Sequence, residues 1–193
     1  MSHIKNDFAM VHPIVVYGSP ILRKKALDVN KGHKGLNTLI ADMFETMYKS
    51  DGMGLAAPQI GKSLRIIVID ATSMAEDDPS MKDFKKAFIN PRIVEEDGEP
   101  WIFNEGCLSL PKIREDVLRK PRIRIQYHDE NWLYHDEYFD GVKARILQHE
   151  YDHLDGILFI DRISPLRKKL LQGRLNDITK CKVDVEYKIK VIK

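Results

Sequence analysis

Cysteine is scarce in this sequence: of 193 residues only Cys107 and Cys181 are cysteines, too few for a disulfide framework, so each reads as a free thiol or a metal ligand. Long hydrophobic runs are missing too. No stretch approaches the ~18 apolar residues needed to span a bilayer, and Met1 to His12 carries Lys5, Asp7 and two histidines where a secretion signal would have an apolar centre. The expectation is a cytoplasmic protein with no membrane partner. An excess of one charge sign is absent as well, since 31 basic and 29 acidic residues leave a formal net charge of +2. No global field therefore points to nucleic acid or an anionic surface. What the composition does offer is 43% hydrophobic residues, enough for one sizeable core, whereas two domains would each be small.

Chemistry concentrates in Gln148-His149-Glu150-Tyr151-Asp152-His153-Leu154-Asp155-Gly156. On a helix, positions i and i+4 share a face, so His149 and His153 can hold one metal ion. Glu150 lies about 100° round the axis from His149, outside that ligand set but within reach of a water beside the ion. Two surface histidines on an ordinary helix would give the same pattern. The apolar residues argue against that: Ala144, Leu147, Tyr151 and Leu154 form one stripe, and Val142 and Ile146 flank the histidines on the other side. A helix apolar on both sides is buried, and buried imidazoles need partners.

A catalytic ion with an open position needs a third ligand. The two downstream arrangements known for such helices are both empty here, because the extended histidine position is Phe159 and no Glu occurs between Leu154 and Val185. The third ligand must lie upstream. Cys107, a soft donor in the stretch Glu105-Gly106-Cys107-Leu108-Ser109-Leu110-Pro111, is the best candidate.

Elsewhere the periodicities predict an α+β fold of short antiparallel strands around the buried metal-binding helix, with one helix before it, one after it and a C-terminal strand. Ile14 to Tyr17 reads as a short extended segment, and Leu36 to Met47 as a core helix ended by Asp51-Gly52. The small-residue segment Gly52 to Gly61 is either a tight connection under that helix or a close approach to a ligand. Gln59 is its one polar side chain among apolar neighbours. Strands are expected at Leu64 to Ile69 and Ala87 to Glu95, the second bulged at Asn90-Pro91, with a surface loop over residues 72–86 between them. Arg122 to Tyr127 and Trp132 to Phe139 predict a hairpin that leaves His128 and His135 in solvent. Asp140 is the expected N-cap of the metal helix and Gly156 its stop. Ser164-Pro165 should start a final amphipathic helix using Leu166, Leu170, Leu175 and Ile178, and Lys182 to Val191 alternates like a strand.

Three motifs, Gly52-Met53-Gly54-Leu55-Ala56-Ala57-Pro58-Gln59, Glu105 to Ser109 and Gln148 to Leu154, resemble in order and spacing those of peptide deformylases. Pro20-Ile21-Leu22-Arg23 is similar to that family's N-terminal turn. The resemblance implies an enzyme that removes the formyl group from the N-terminal formylmethionine of nascent polypeptides. It implies a divalent ion on Cys107, His149 and His153, physiologically Fe²⁺, with Zn²⁺, Ni²⁺ or Co²⁺ able to take its place. A water acidified by the ion would attack the formyl carbonyl while Glu150 serves as general base and then acid. The Gln59 side chain and the Leu108 backbone N–H would stabilise the oxyanion. Gly54 would pair with the extended peptide, and Met53, Phe103, Val142 and Ile146 would wall the methionine side chain. Residues 1–13 are then an irregular extension, 14–163 the catalytic part, and 164–193 a helix and strand added to the same domain. A monomer is expected. The basic residues Arg167, Lys168, Lys169 and Arg174 are either a solvated face or a seat on ribosomal RNA.

Two other classes share these residues. A zinc endopeptidase is disfavoured by its empty third-ligand positions, and a structural metal site in a peptide-binding module has no use for Glu150.

Overall fold

In the computed structural model, which describes residues 9–193, the first regular element is β1 (Ile14–Val15). Residues 1–8 of the expected irregular extension lie outside the described residues. Residues 9–13 form no regular element and are tied to the next helix, where Met10 N donates to Asp42 Oδ1 at 2.7 Å and His12 N to Thr46 Oγ1 at 3.0 Å. That helix, α1 (Leu36–Lys49), buries the predicted apolar positions Leu36, Ile40, Met43 and Met47. It stops where Asp51 takes a positive φ.

The segment of small residues becomes β2 (Gly54–Ala56) and a 3-10 turn over Ala57–Ile60, leading into β3 (Ile66–Asp70). Alternate residues of β3 serve two cores. Ile66 and Val68 join α1 residues Ile40, Met43 and Met47 in one cluster, while Ile67 and Ile69 face Ala144 and Leu147 in the other. A strand buried on both faces explains why Ile66 to Ile69 is continuously apolar. The loop over residues 72–86 is pinned by two 3-10 turns and by buried Met81 and Phe84.

β4 (Lys85–Asp97) shifts register between Ile89 and Arg92. Asn90 is the cause: at φ 51° its side-chain amide brackets Val29, accepting from its N–H at 2.7 Å and donating to its carbonyl at 2.8 Å. β5 (Trp101–Cys107) and β6 (Leu110–Arg119) pair with each other, and β7 (Arg122–His128) and β8 (Tyr134–Asp140) extend the main sheet. That sheet is antiparallel, in the order β2-β3-β4-β7-β8. α2 (Gly141–Leu154) carries the histidines across it, on the side opposite α1. The α+β class is as expected.

Several details differ. Asp140 sits at the N-cap of α2 but its side chain caps nothing; the first amide, that of Gly141, bonds to the Pro121 carbonyl at 2.9 Å instead. His135 is not simply solvent-facing, since it stacks on Tyr127 at 4.9 Å between centroids and bonds Asp129 at 3.0 Å. The final helix is two, α3 (Pro165–Leu170), started by the expected Ser164 cap, and α4 (Gln172–Thr179). The buried stripe is Leu171, Leu175 and Ile178, an i, i+4, i+7 set, and Leu166 and Leu170 are exposed. The alternating terminal segment is regular only in β9 (Ile189–Lys190), which pairs parallel with β1.

Candidate active site

α2 brings the two imidazoles beside the end of β5. Cys107 Sγ lies 3.2 Å from His153 Nε2, and ligand atoms of Cys107, His149 and His153 all fall within 4.8 Å of one another. A tetrahedral ion with bonds of roughly 2.0–2.3 Å separates its ligands by about 3.5 Å, so one thiolate and two imidazoles here fit a divalent metal.

The ring nitrogen of His149 turned away from the trio is fixed. Its Nδ1 bonds Glu105 Oε2 at 2.8 Å, which frees Nε2 for the ion. Glu105 is in turn gripped by Arg119, with Nε to Oε1 at 2.7 Å and Nη2 to Oε2 at 2.9 Å, and by Arg145 Nη1 at 3.0 Å. Arg119 Nη1 continues to Asp152 Oδ2 at 2.7 Å, and Arg162 closes the set on the same carboxylate. Burial works against the Glu105 charge, yet its bonds to Arg119 and His149 hold it well below the usual carboxylate range. Desolvation also opposes charge on His149, but Cys107 and Glu105 carry it well above the ordinary imidazole value. His153 goes the other way, driven down by burial and then by its neighbour His149. His153 Nδ1 is buried and without a partner among the described residues.

Glu150 is buried and its Oε2 has no hydrogen-bond partner among the described residues. Burial is the main cause that pushes its carboxyl up to about 7, which suits a group that must both take and return a proton near neutrality. Gly54 lies against it so closely that a Cβ there would stand 2.6 Å from Glu150 Oε1. The small-residue segment is thus a close approach to a buried carboxyl, not only to a neighbouring strand.

Gln59, also buried, accepts from Ala56 N with its Oε1 at 2.8 Å. That bond fixes the amide so that Nε2 points to Cys107 Sγ at 3.6 Å and Ser109 Oγ at 3.3 Å. Leu108 occupies the turn between β5 and β6. Its carbonyl accepts from Tyr187 Oη at 2.9 Å, and burial with the nearby Cys107 pushes that phenol up to about 12, so it stays a donor.

These groups open on a cavity of about 360 Å³, the lower end of the range for small-ligand sites. Met53, Phe103 and Ile146 supply apolar lining, and Gly54, Gln59 and Leu108 also reach it. Val142 does not. It sits one turn farther from the histidines than Ile146 and packs on the core cluster of Ala144 and Leu147. Gly54 ends the open edge of the main sheet. Because Met53 O accepts from Asp70 N and Gly54 lies opposite Ile69, the antiparallel alternation turns the Gly54 amide and carbonyl to that unpaired edge.

Sequence reading missed Arg119, Arg145, Asp152 and Tyr187, and gave Glu105 no role. A signal existed for Arg119: along β6 the inward phase runs Ile113, Glu115, Val117, Arg119, so the charge stands on the apolar side of the alternation.

Comparison with known proteins agrees with this geometry. The polypeptide deformylase family model matches residues 11–169. A peptide deformylase of Christiangramia forsetii is 50% identical over 188 residues, spanning 94% of this chain and 96% of its own. One of Flavobacterium johnsoniae is 49% identical over 188 residues, with the same shares of 94% and 96%. The crystal structure of a peptide deformylase from Legionella pneumophila superposes with a TM-score of 0.78 at 37% identity, covering 89% of this chain and 97% of that one. For that from Thermotoga maritima the TM-score is 0.72 at 44% identity, with 80% and 99% covered.

Proposed function

The chain belongs to the polypeptide deformylase family and is an enzyme of it, and we propose that it removes the formyl group from N-formylmethionyl nascent polypeptides, releasing formate, with a divalent ion held by Cys107, His149 and His153. Fe²⁺ is the physiological expectation, and Zn²⁺, Ni²⁺ or Co²⁺ suit the same donors. When bound, the ion supplies Lewis acidity, polarising the formyl oxygen and acidifying water.

The chain's own groups do the rest. The Glu150 carboxylate takes the proton of the attacking water and returns it to the amine that leaves. Gln59 Nε2 and the Leu108 N–H donate to the oxygen on which negative charge grows. The Gly54 amide and carbonyl, on an open strand edge, pair with the extended substrate as an added strand. Met53, Phe103 and Ile146 wall the unbranched methionine side chain, which a cavity of about 360 Å³ accommodates. Glu105, through Nδ1, keeps His149 in the tautomer whose Nε2 faces the ion.

The observation that carries this reading is the Glu150 carboxyl: buried, with an unpartnered oxygen, and next in sequence to a ligand of the trio. A structural metal site would leave such a group unexplained. The test is formate release from a formyl-Met peptide by purified, iron- or cobalt-loaded protein. Release is expected, and Cys107→Ser should abolish both release and stoichiometric metal. A loaded protein that releases no formate would overturn the reading.

Residues 14–163 would be the catalytic part and 164–193 an extension of the same domain. No helix among the described residues is long and apolar enough to cross a membrane, and a monomer working in the cytoplasm is the matching proposal. On the basic face, Arg167 bonds Glu115 and Lys168 bonds Asp161. Only Lys169 and Arg174 of the four would then remain to meet ribosomal RNA.

A further inference from the structure

The turn that follows Cys107 is braced from outside by two segments distant in sequence. Register shifts between Gly106 and Cys107, so the β5–β6 ladder does not itself fix Leu108 and Ser109. Their carbonyls are held instead by neighbours of β1 and β9. Tyr17 N, just after β1, donates to Ser109 O at 2.9 Å, and Tyr187 Oη, just before β9, donates to Leu108 O at 2.9 Å. The two strands lock together through Ile14 N to Lys188 O at 2.8 Å and Val16 N to Lys190 O at 3.0 Å. Farther along, Ile192 N donates to Ser19 Oγ at 3.0 Å. The result is a clamp with one donor on each of two consecutive carbonyls.

We propose that Tyr187 is a positioning residue for deformylation: its hydroxyl, acting through the Leu108 carbonyl, keeps the Cys107-Leu108-Ser109 turn aimed at the reacting centre. The proposal rests on the reading that Cys107 is a ligand and the Leu108 N–H an oxyanion donor. A backbone donor is useful only if it is held to within a fraction of an ångström of where charge develops. From inside the protein, Gln59 Nε2 touches Cys107 Sγ and Ser109 Oγ, and the Leu108 carbonyl is secured from the other side by Tyr187. Tyr187 also lies in the cavity wall beside Leu108 and is half-buried against the core. It stands outside the stretch matched by the family model, residues 11–169, so the terminal segment here does more than cover the fold.

The test removes one oxygen, by Tyr187→Phe, in the full-length chain. Two measurements are made: steady-state formate release by the cobalt-loaded enzyme, and amide hydrogen exchange of peptides covering 104–112 and α2 with and without metal. Loss of one neutral hydrogen bond should lower kcat about fivefold with KM nearly unchanged, and speed exchange in the turn by a similar factor while α2 exchanges as before. Unchanged turn exchange together with wild-type kcat would overturn the proposal. So would a change confined to KM, which makes Tyr187 a wall for substrate only, or faster exchange throughout the molecule, which makes it merely structural. If the unaltered enzyme released no formate, the functional reading would fail, and the exchange measurement would still decide the clamp.

Discussion

On the face of α2 turned to β5 and β6, Arg145, His149 and Asp152 each meet an opposite charge: Arg145 and His149 share Glu105, and Asp152 takes Arg119 and Arg162. One residue further on runs the stripe of Ile146, Glu150 and His153; Ile146 and Glu150 line the cavity, as Arg145 and His149 also do, and Glu150 Oε2 and His153 Nδ1 are buried without partners among the described residues. Both sets follow i, i+4, i+7 spacing, so a rotation of about 100° separates them. The first stripe has every charge paired and is therefore rigid, with only Arg145 Nε left over among its buried polar atoms; the second leaves a carboxylate oxygen and an imidazole nitrogen uncommitted, which is what a site that must meet a metal and a substrate requires. The difference teaches that orientation comes from behind the ligands, and reactivity from what is left unpaired in front.

The largest expected effect is on the front. Glu150→Gln should lower kcat for formate release by about 10³-fold, within the range for loss of a general acid-base group. Thermal unfolding should show no lower melting temperature and metal content should remain stoichiometric, because the carboxyl makes no bond that the fold relies on. A variant with wild-type turnover would end the distinction between the faces.

Behind the ligands the effect should be on stability. Arg119→Met removes the cation that Glu105 and Asp152 share in the interior, leaving Glu105 to Arg145 and His149 and Asp152 to Arg162, and urea unfolding should give a loss of about 3–5 kcal/mol. A loss under about 1 kcal/mol would mean that the network is solvated and not rigid. Gly54→Ala probes the contact across the cavity. Its Cβ would press Glu150 aside from 2.6 Å, and an activity loss of about ten- to a hundredfold is expected with little change in stability.

The smallest effect is expected at a partly exposed pair outside both faces. Burial opposes the Asp161 charge, but bonds from Arg23 and Lys168 lower its pKa to about 2, from 3.8. A depressed carboxylate contributes stability that is fully present above the unfolded value near 3.8 and fades as pH falls toward 2. The advantage of the wild type over Asp161→Asn should be about 1–2 kcal/mol at pH 6 and shrink between pH 4 and pH 2.5, as read by urea midpoints. A constant difference across that range would assign the effect to packing.

How much of this the sequence reveals depends on how local the cause is. α2 is legible because its histidine spacing and its apolar stripe both lie within about three turns, and Cys107 is the best candidate once the empty downstream positions send the search for a soft donor upstream. The charged face was hidden because Arg119, Arg145 and Glu105 look like the ordinary charges of half-exposed elements. Only their phase, Arg119 inward on β6 and Arg145 one turn before His149, distinguishes them. The break between α3 and α4 was missed for a related reason. Leu166 and Leu170 mimic a buried stripe, whereas the true one starts at Leu171, and the phase is set by the core it meets. Tyr187 had no local signature at all, since its partner lies 79 residues away.

The parallel pairing of Ile14 with Ile189 has a bearing on how the molecule is made. A growing chain that has already emerged past α2 possesses every motif residue and still lacks the partner strand for β1. Closing so long a loop is entropically slow and comes after local elements have formed. Maturation of catalytic competence should therefore lag behind acquisition of helix content, and an enzyme proposed to serve newborn polypeptides would itself pass through an inactive infancy.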